Sequence, residues 1–133
     1  MTTDTMTASE DRITQDVRDL AGRYFDLLYT CDLTLFDRVF DPAAHLYGLG
    51  DGDVVVWTAD HYRQILAGRD SPKALGSRRE EALLHVDIAS PTQAFAKVKV
   101  RINQLVFIDY LSFLKLKQGW RIVSKTYHRM PNG

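Results

Sequence analysis

Between Ile13 and Leu28 the apolar positions recur at helical spacing: Ile13, Val17, Leu20, Tyr24 and Leu28, with Ala21 and Phe25 widening the stripe. Arg12, Asp16, Arg18, Asp19 and Arg23 mostly take the other side. Ser9 is placed to cap this helix, with Glu10 and Asp11 in the first turn, where the helix dipole favours acidic groups. The pattern ends near Cys31, and Asp32 then opens a second, short helix with Leu33, Phe36, Val39 and Phe40 on its buried side. Pro42 stops it, because proline lacks an amide hydrogen and pushes Asp41 out of the α region.

The period then changes from helical to alternating. His45 to Leu49 and Val54 to Trp57 flank Gly50-Asp51-Gly52-Asp53, a hairpin signal built from residues that tolerate positive φ. Thr58 is the expected cap of a third helix, Ala59 to Ala67, ending at Gly68. Gly68 to Ser77 reads as a loop. Glu80 to Ala89 alternates, Ser90-Pro91-Thr92 turns the chain, and Ala94, Ala96, Val98, Val100 and Ile102 alternate against Lys97, Lys99 and Arg101. Val106 to Leu116 is apolar at nearly every position and is expected to be covered on both faces. Trp120 to His128 is the last strand. The expected order is ααββαβββ, with long antiparallel strands gathered at the end: an α+β domain with three helices on one face of a curved, mainly antiparallel sheet.

Length and composition narrow the possibilities. The chain has 133 residues, one ordinary domain, and 45% of them are hydrophobic, enough for a packed core. Residues 1–8 read as a polar, flexible tail and residues 9–133 as the single domain. Lys+Arg and Asp+Glu balance at 17 each, so no net field attracts a phosphate backbone and nucleic acid is not expected as a partner. No apolar run spans a bilayer, so no membrane partner is expected, and the N-terminus lacks the basic start and apolar core of a secretory signal. The single Cys31 excludes an internal disulfide framework and suits a reducing cytoplasm.

Candidate chemistry is sparse. Tyr24, Tyr47, Trp57, Tyr62 and Tyr110 sit on elements that could face an interior pocket, or could simply fill a core. Asp109 and Lys125 lie on the two strands of the final hairpin. The simpler reading is an exposed or interface pair across strands; the functional one is an orienting or acid-base group at the pocket. His128 could polarise a ligand carbonyl. His45, His61 and His85 are less well placed, and no histidine pair has ligand spacing, so no metal is expected. Lys97, Lys99 and Arg101 face Glu80, Glu81 and Asp87 and read as a solvated, cross-paired surface. The Gly68-Arg69-Asp70-Ser71-Pro72 segment lacks the glycine pattern of a phosphate loop and reads as an ordinary connection or a mobile pocket rim.

Taken together, Tyr24-Phe25, Leu28-Tyr29, Asp32-Leu33, Val39-Phe40, Pro42, Asp51-Gly52, Gly68-Arg69, Ser71-Pro72, Ala96-Lys97-Val98, Asp109-Tyr110-Leu111, Leu114-Lys115, Trp120-Arg121-Ile122-Val123, Lys125 and His128 resemble the nuclear transport factor 2-like, or cystatin-like, superfamily. The bacterial "putative lumazine-binding" branch is the nearest match. The resemblance covers nearly the whole chain after the tail and implies a cone-shaped α+β fold. It implies no single activity, because isomerases, dehydratases, hydrolases, cyclases and non-enzymes share this scaffold. Ketosteroid isomerase, in the same superfamily, carries a catalytic Arg-Tyr pair, a carboxylate base on its first strand and a protonated acid on a late strand. These fall here on Arg23-Tyr24, on Gly48 and near Ser112. With no side chain at Gly48, that proton-abstraction mechanism does not carry over.

The resulting expectation is a cytoplasmic homodimer, formed through the sheet, that binds a small apolar or aromatic molecule. Tyr24, Tyr47, Trp57, Tyr62, Tyr110 and Lys125 are the expected ligand-binding residues, and no cofactor is expected. The alternative is a cofactor-free isomerase, dehydratase or cyclase using Tyr24, Asp109 or His128. A third reading is a structural module whose core fills the cone. A buried polar triad within hydrogen-bond distance would favour the enzyme.

Overall fold

A computed structural model describes residues 2–131, and for residues 2–8 the backbone alone. Helix α1 spans Thr2–Thr30. The expected tail is thus helical from Thr2, and Ser9 lies inside the helix instead of capping it; Met1 is outside the described residues. The buried stripe is the expected one, with Val17, Leu20, Tyr24 and Leu28 fully enclosed and Leu27 beside them. Cys31 ends the helix in the left-handed region, φ 53°, with its amide donating to the Leu27 carbonyl at 2.8 Å. Asp32 caps α2 (Leu33–Val39), accepting from the Thr34 amide at 3.0 Å.

Strand β1 (Phe40–Gly50) begins at once, several residues earlier than His45. Pro42 therefore lies within a strand. Its missing amide hydrogen is tolerated because the β1 pairing register is interrupted between Phe40 and His45. Asp51 (φ 50°) and Gly52 (φ 86°) turn the chain into β2 (Asp53–Thr58), and Thr58 caps α3 (Ala59–Gly68) through the His61 amide at 3.1 Å.

Four long strands follow α3, not three: β3 (Glu81–Ser90), β4 (Gln93–Ile102), β5 (Leu105–Leu116) and β6 (Gly119–Arg129). All four ranges read from the sequence after α3 are strands, so the order is ααββαββββ and the expected ααββαβββ counts one strand too few. The six strands form one sheet, β2-β1-β6-β5-β4-β3, antiparallel except for the β1–β6 pair. Helix α1 packs on β3, β4 and β6, and α3 packs on β1 and β2. The face under the helices carries Ala96, Val98, Leu111, Phe113 and Ile122, all enclosed. Fully burying each large apolar side chain contributes about 1.5–3 kcal/mol.

The loop after α3 is tied back to α1. The Lys73 amide donates to the Tyr29 carbonyl at 3.0 Å, the Tyr29 hydroxyl to the Ser77 carbonyl at 2.9 Å, and Arg79 pairs with Asp26 and Glu81.

Candidate functional site

Strand alternation sends Phe107, Asp109, Leu111 and Phe113 of β5 under the helices and Tyr110 to the opposite face. Asp109 stands directly across from Tyr127 of β6, and Lys125 across from Leu111, so Asp109 and Lys125 are diagonal neighbours on the inner face. Asp109 is 1% exposed and Lys125 5%. Their Oδ2–Nζ distance is 3.8 Å. The exposed or interface pair read from sequence is therefore a buried one. Alternation alone could not reveal this, because a charged residue at an inward position looks the same in sequence as one at an outward position.

Two tyrosines complete the cluster. Helix α1 delivers the Tyr24 hydroxyl to Asp109 Oδ2 at 2.5 Å, and α3 places the Tyr62 hydroxyl 3.4 Å from Lys125 Nζ, from which it accepts. The ammonium lies over the rings of Tyr62, Tyr24 and Tyr127, at 4.8, 5.2 and 5.9 Å from their centres. Burial alone would push the Lys125 pKa down, but the Asp109 charge and then Tyr62 outweigh it, and the net shift is upward. Lys125 thus remains an ammonium. Burial, then the Asp109 charge, raises Tyr24 well above an ordinary phenol, so it acts as a neutral donor.

Above this cluster lies a cavity of about 330 Å³. Trp57, Tyr62, Phe107 and Tyr127 form much of its wall, with Asp109, Lys125 and Arg69 as its polar groups and Arg129 beside them. Three buried polar atoms there have no hydrogen-bond partner: Asp109 Oδ1 and Arg69 Nε and Nη2. Unpaired buried groups are costly, and at a cavity wall they are what a ligand can satisfy. A larger hollow of about 520 Å³ lies between Ser9, Glu10 and Ile13 of α1 and the turn at Pro91, but it holds a single ionisable side chain.

Of the residues singled out in the sequence, Trp57, Tyr62, Asp109 and Lys125 line the cavity, and Tyr24 supports Asp109 from behind. Tyr47, Tyr110 and His128 do not reach it. Tyr110, 47% exposed, packs against Phe95 and Lys97, and Tyr47 stacks on His45. His128 is exposed, paired with Ile108. Each is one residue out of phase with the inner face. Tyr127 and Phe107 were missed, and Arg69 was noted only as part of a candidate rim segment. Tyr127 was legible, since it alternates with Lys125, whereas Arg69 needed the fold to bring the end of α3 over the sheet.

Gly48 has a structural reason. A Cβ there would fall 2.3 Å from the Tyr127 ring. The space that a base side chain would need on this strand is occupied by Tyr127. Ser112 alternates with the inward Leu111 and Phe113, so it does not supply an inward acid either. The polar centre of this site is Asp109, reached from a different strand position. Among the described residues no group of three or more His, Cys, Asp or Glu side chains is arranged to hold a metal, and no helix is long and apolar enough to cross a membrane.

Comparison with known proteins agrees with this architecture. An NTF2-like protein of unknown function from Shewanella baltica superposes with a TM-score of 0.78 at 22% identity, covering 89% of this chain and 94% of that one. One from Silicibacter pomeroyi gives 0.71 at 21%, covering 98% and 100%. A ketosteroid isomerase-like protein from Erwinia carotovora atroseptica gives 0.67 at 11%, covering 88% and 95%. At these identities the likeness establishes the fold alone. In sequence, the chain is 30% identical over 94 residues to a protein named Aldolase FrzH from Cladobotryum sp, covering 69% of this chain and 71% of that protein. The model of the family described as "Putative lumazine-binding" matches residues 12–128, and the chain belongs to that family, on an NTF2-like fold.

Proposed function

We propose that the protein is a cofactor-free enzyme that moves a proton on a small, mostly apolar or aromatic carbonyl compound, in an aldol-type reaction. The observation that carries this reading is the division of labour at Asp109. Its Oδ2 is held by Tyr24 and Lys125, while its Oδ1 is buried, unpartnered and part of the cavity wall group. A carboxylate fixed on one oxygen and free on the other is oriented as a general base. The aldolase among its relatives supports the same class of chemistry.

In the cleavage direction, Asp109 Oδ1 takes the proton of a β-hydroxyl group. The bond between the α and β carbons breaks, its electron pair enters the enolate, and the β carbon leaves as a carbonyl. The enolate oxygen lies by Lys125, whose hydrogen bond to Tyr62 leaves N–H groups for it, the 3.8 Å contact with Asp109 being an ion pair. The proton on Asp109 then returns to the α carbon. Lys125 acts here as an electrostatic group and not as a Schiff-base nucleophile, which would need the free amine.

Purified protein in deuterated water should exchange the α hydrogens of aryl ketones and cleave β-hydroxy aryl ketones, both followed by NMR. Asp109→Asn should slow both by ~10²–10⁴-fold. Exchange that survives Asp109→Asn would refute the assignment. The alternative, a binder without turnover, is favoured by the aromatic wall: Trp57 lies 6.0 Å from the Tyr62 ring and 6.2 Å from Tyr127. Ligand-induced quenching of Trp57 without exchange would select it.

The proposal includes a homodimer through the outer sheet face. Val56, Tyr47, Thr126, Tyr110, Lys97 and His85 follow one another in a row across it. Tyr47, Val56 and Tyr110 are exposed apolar members of that row, and exposed apolar patches mark interaction surfaces.

A further inference from the structure

We infer that Arg69 is an anchor for a carboxylate, and that the compound taken into the cavity is an anion with an aromatic or apolar body. This deepens the proposed function and rests on the same cavity.

Arg69 follows directly on α3 as its C-cap. Its backbone is extended, φ −113° and ψ 154°, and it lines the cavity shared with Asp109 and Lys125. Its Nε and Nη2 are both buried and both without a partner. These two nitrogens lie on one edge of the guanidinium. Their N–H bonds run side by side, the fork that a carboxylate accepts with two oxygens. A single ketone or hydroxyl oxygen can take both N–H groups only through bent, shared hydrogen bonds, whereas the two oxygens of a carboxylate meet each N–H in line and bring the opposite charge. The pair of unmet donors on one edge of a cation therefore favours a planar oxyanion over a neutral acceptor.

The charges agree. Arg69, Lys125 and Arg129 are the cations of the cavity wall, and Asp109 is its one carboxylate. Lys125 and Asp109 pair with each other. Among the described residues no carboxylate lies within 4.0 Å of Arg69 or Arg129. A chain with 17 basic and 17 acidic residues thus keeps a local positive excess at its cavity. At the buried Nε and Nη2 of Arg69, such an excess is matched by a ligand's own charge. The rings of Trp57, Tyr127 and Phe107 require the rest of that ligand to be apolar. A carboxylate on Arg69 leaves Asp109 Oδ1 and the Lys125 ammonium for the reacting part of the molecule.

The test compares phenylpyruvate, benzoylpropionate and naphthoate with their methyl esters, by isothermal titration and Trp57 fluorescence at neutral pH. At least one acid should bind the wild-type protein about tenfold or more tightly than its ester. Arg69→Gln should abolish the preference. Arg69→Lys, which keeps the charge and loses the fork, should retain only part of it. Equal binding of acids and esters, failure of every acid to bind, or a preference that survives Arg69→Gln would overturn the inference; the wild-type comparison decides even if both variants misfold. Acid-selective binding without deuterium exchange would refute the proton-transfer reading alone. Exchange on neutral ketones without acid preference would refute the carboxylate anchor alone.

Discussion

The two faces of the final hairpin use neighbouring residues for opposite ends. On the inner face Asp109, Lys125 and Tyr127 meet Tyr24 and Tyr62 at a cavity, with both charges removed from water. On the outer face Tyr110, Thr126 and His128, each one residue along, are exposed. Composition barely distinguishes the sets: each has a tyrosine and an ionisable side chain. The difference is the neighbourhood. Burial makes the inner pair depend on each other, since an unpaired charge there has no water to turn to. An outer charge keeps its hydration and contributes little.

The sharpest way to break this comparison is to remove one partner of the inner pair. Lys125→Ala should destabilise the fold by ~3–5 kcal/mol in urea denaturation, because it strands the Asp109 carboxylate. His128→Ala, three residues on and exposed, should stay within ~0.5 kcal/mol of wild type. Comparable losses in the two variants would mean that the inner pair is not enclosed in solution.

Tyr24→Phe tests the same contrast more gently and adds a pH signature. Losing the hydroxyl should cost ~1–3 kcal/mol by taking a donor from buried Asp109. Tyr24 and Lys125 both have folded pKa values above their ordinary 10.0 and 10.5. Above about pH 10 the unfolded chain loses these protons while the folded chain keeps them, so stability should be level below that pH and fall as pH rises through it. The alkaline fall should be shallower in Tyr24→Phe. An unchanged slope would show that the Tyr24 proton is not held by the fold.

The outer face should respond in assembly more than in folding. Tyr110→Asp should leave the melting of the isolated subunit nearly unchanged and shift light-scattering mass from dimer to monomer. A monomer mass for the wild-type protein at micromolar concentration would remove the dimer proposal.

The chain's own pattern determined the element types, the caps at Asp32 and Thr58, the hairpin at Asp51-Gly52 and the superfamily, because these depend on residues close in sequence or on periods of two and 3.6. It also placed Trp57, Tyr62, Asp109 and Lys125 among the residues of interest. It did not show that Tyr47, Tyr110 and His128 lie off the cavity face, since an alternating strand shows two sets of positions and not which set meets the helices. Nor could it show that Asp109 is held by Tyr24, 85 positions away, or that Arg69 is left unsatisfied beside them. Those facts are set by the approach of α1 and α3 to one face of the sheet. Charge pairing, desolvation and unmet hydrogen bonds depend on distance in space, and only the packed structure decides it.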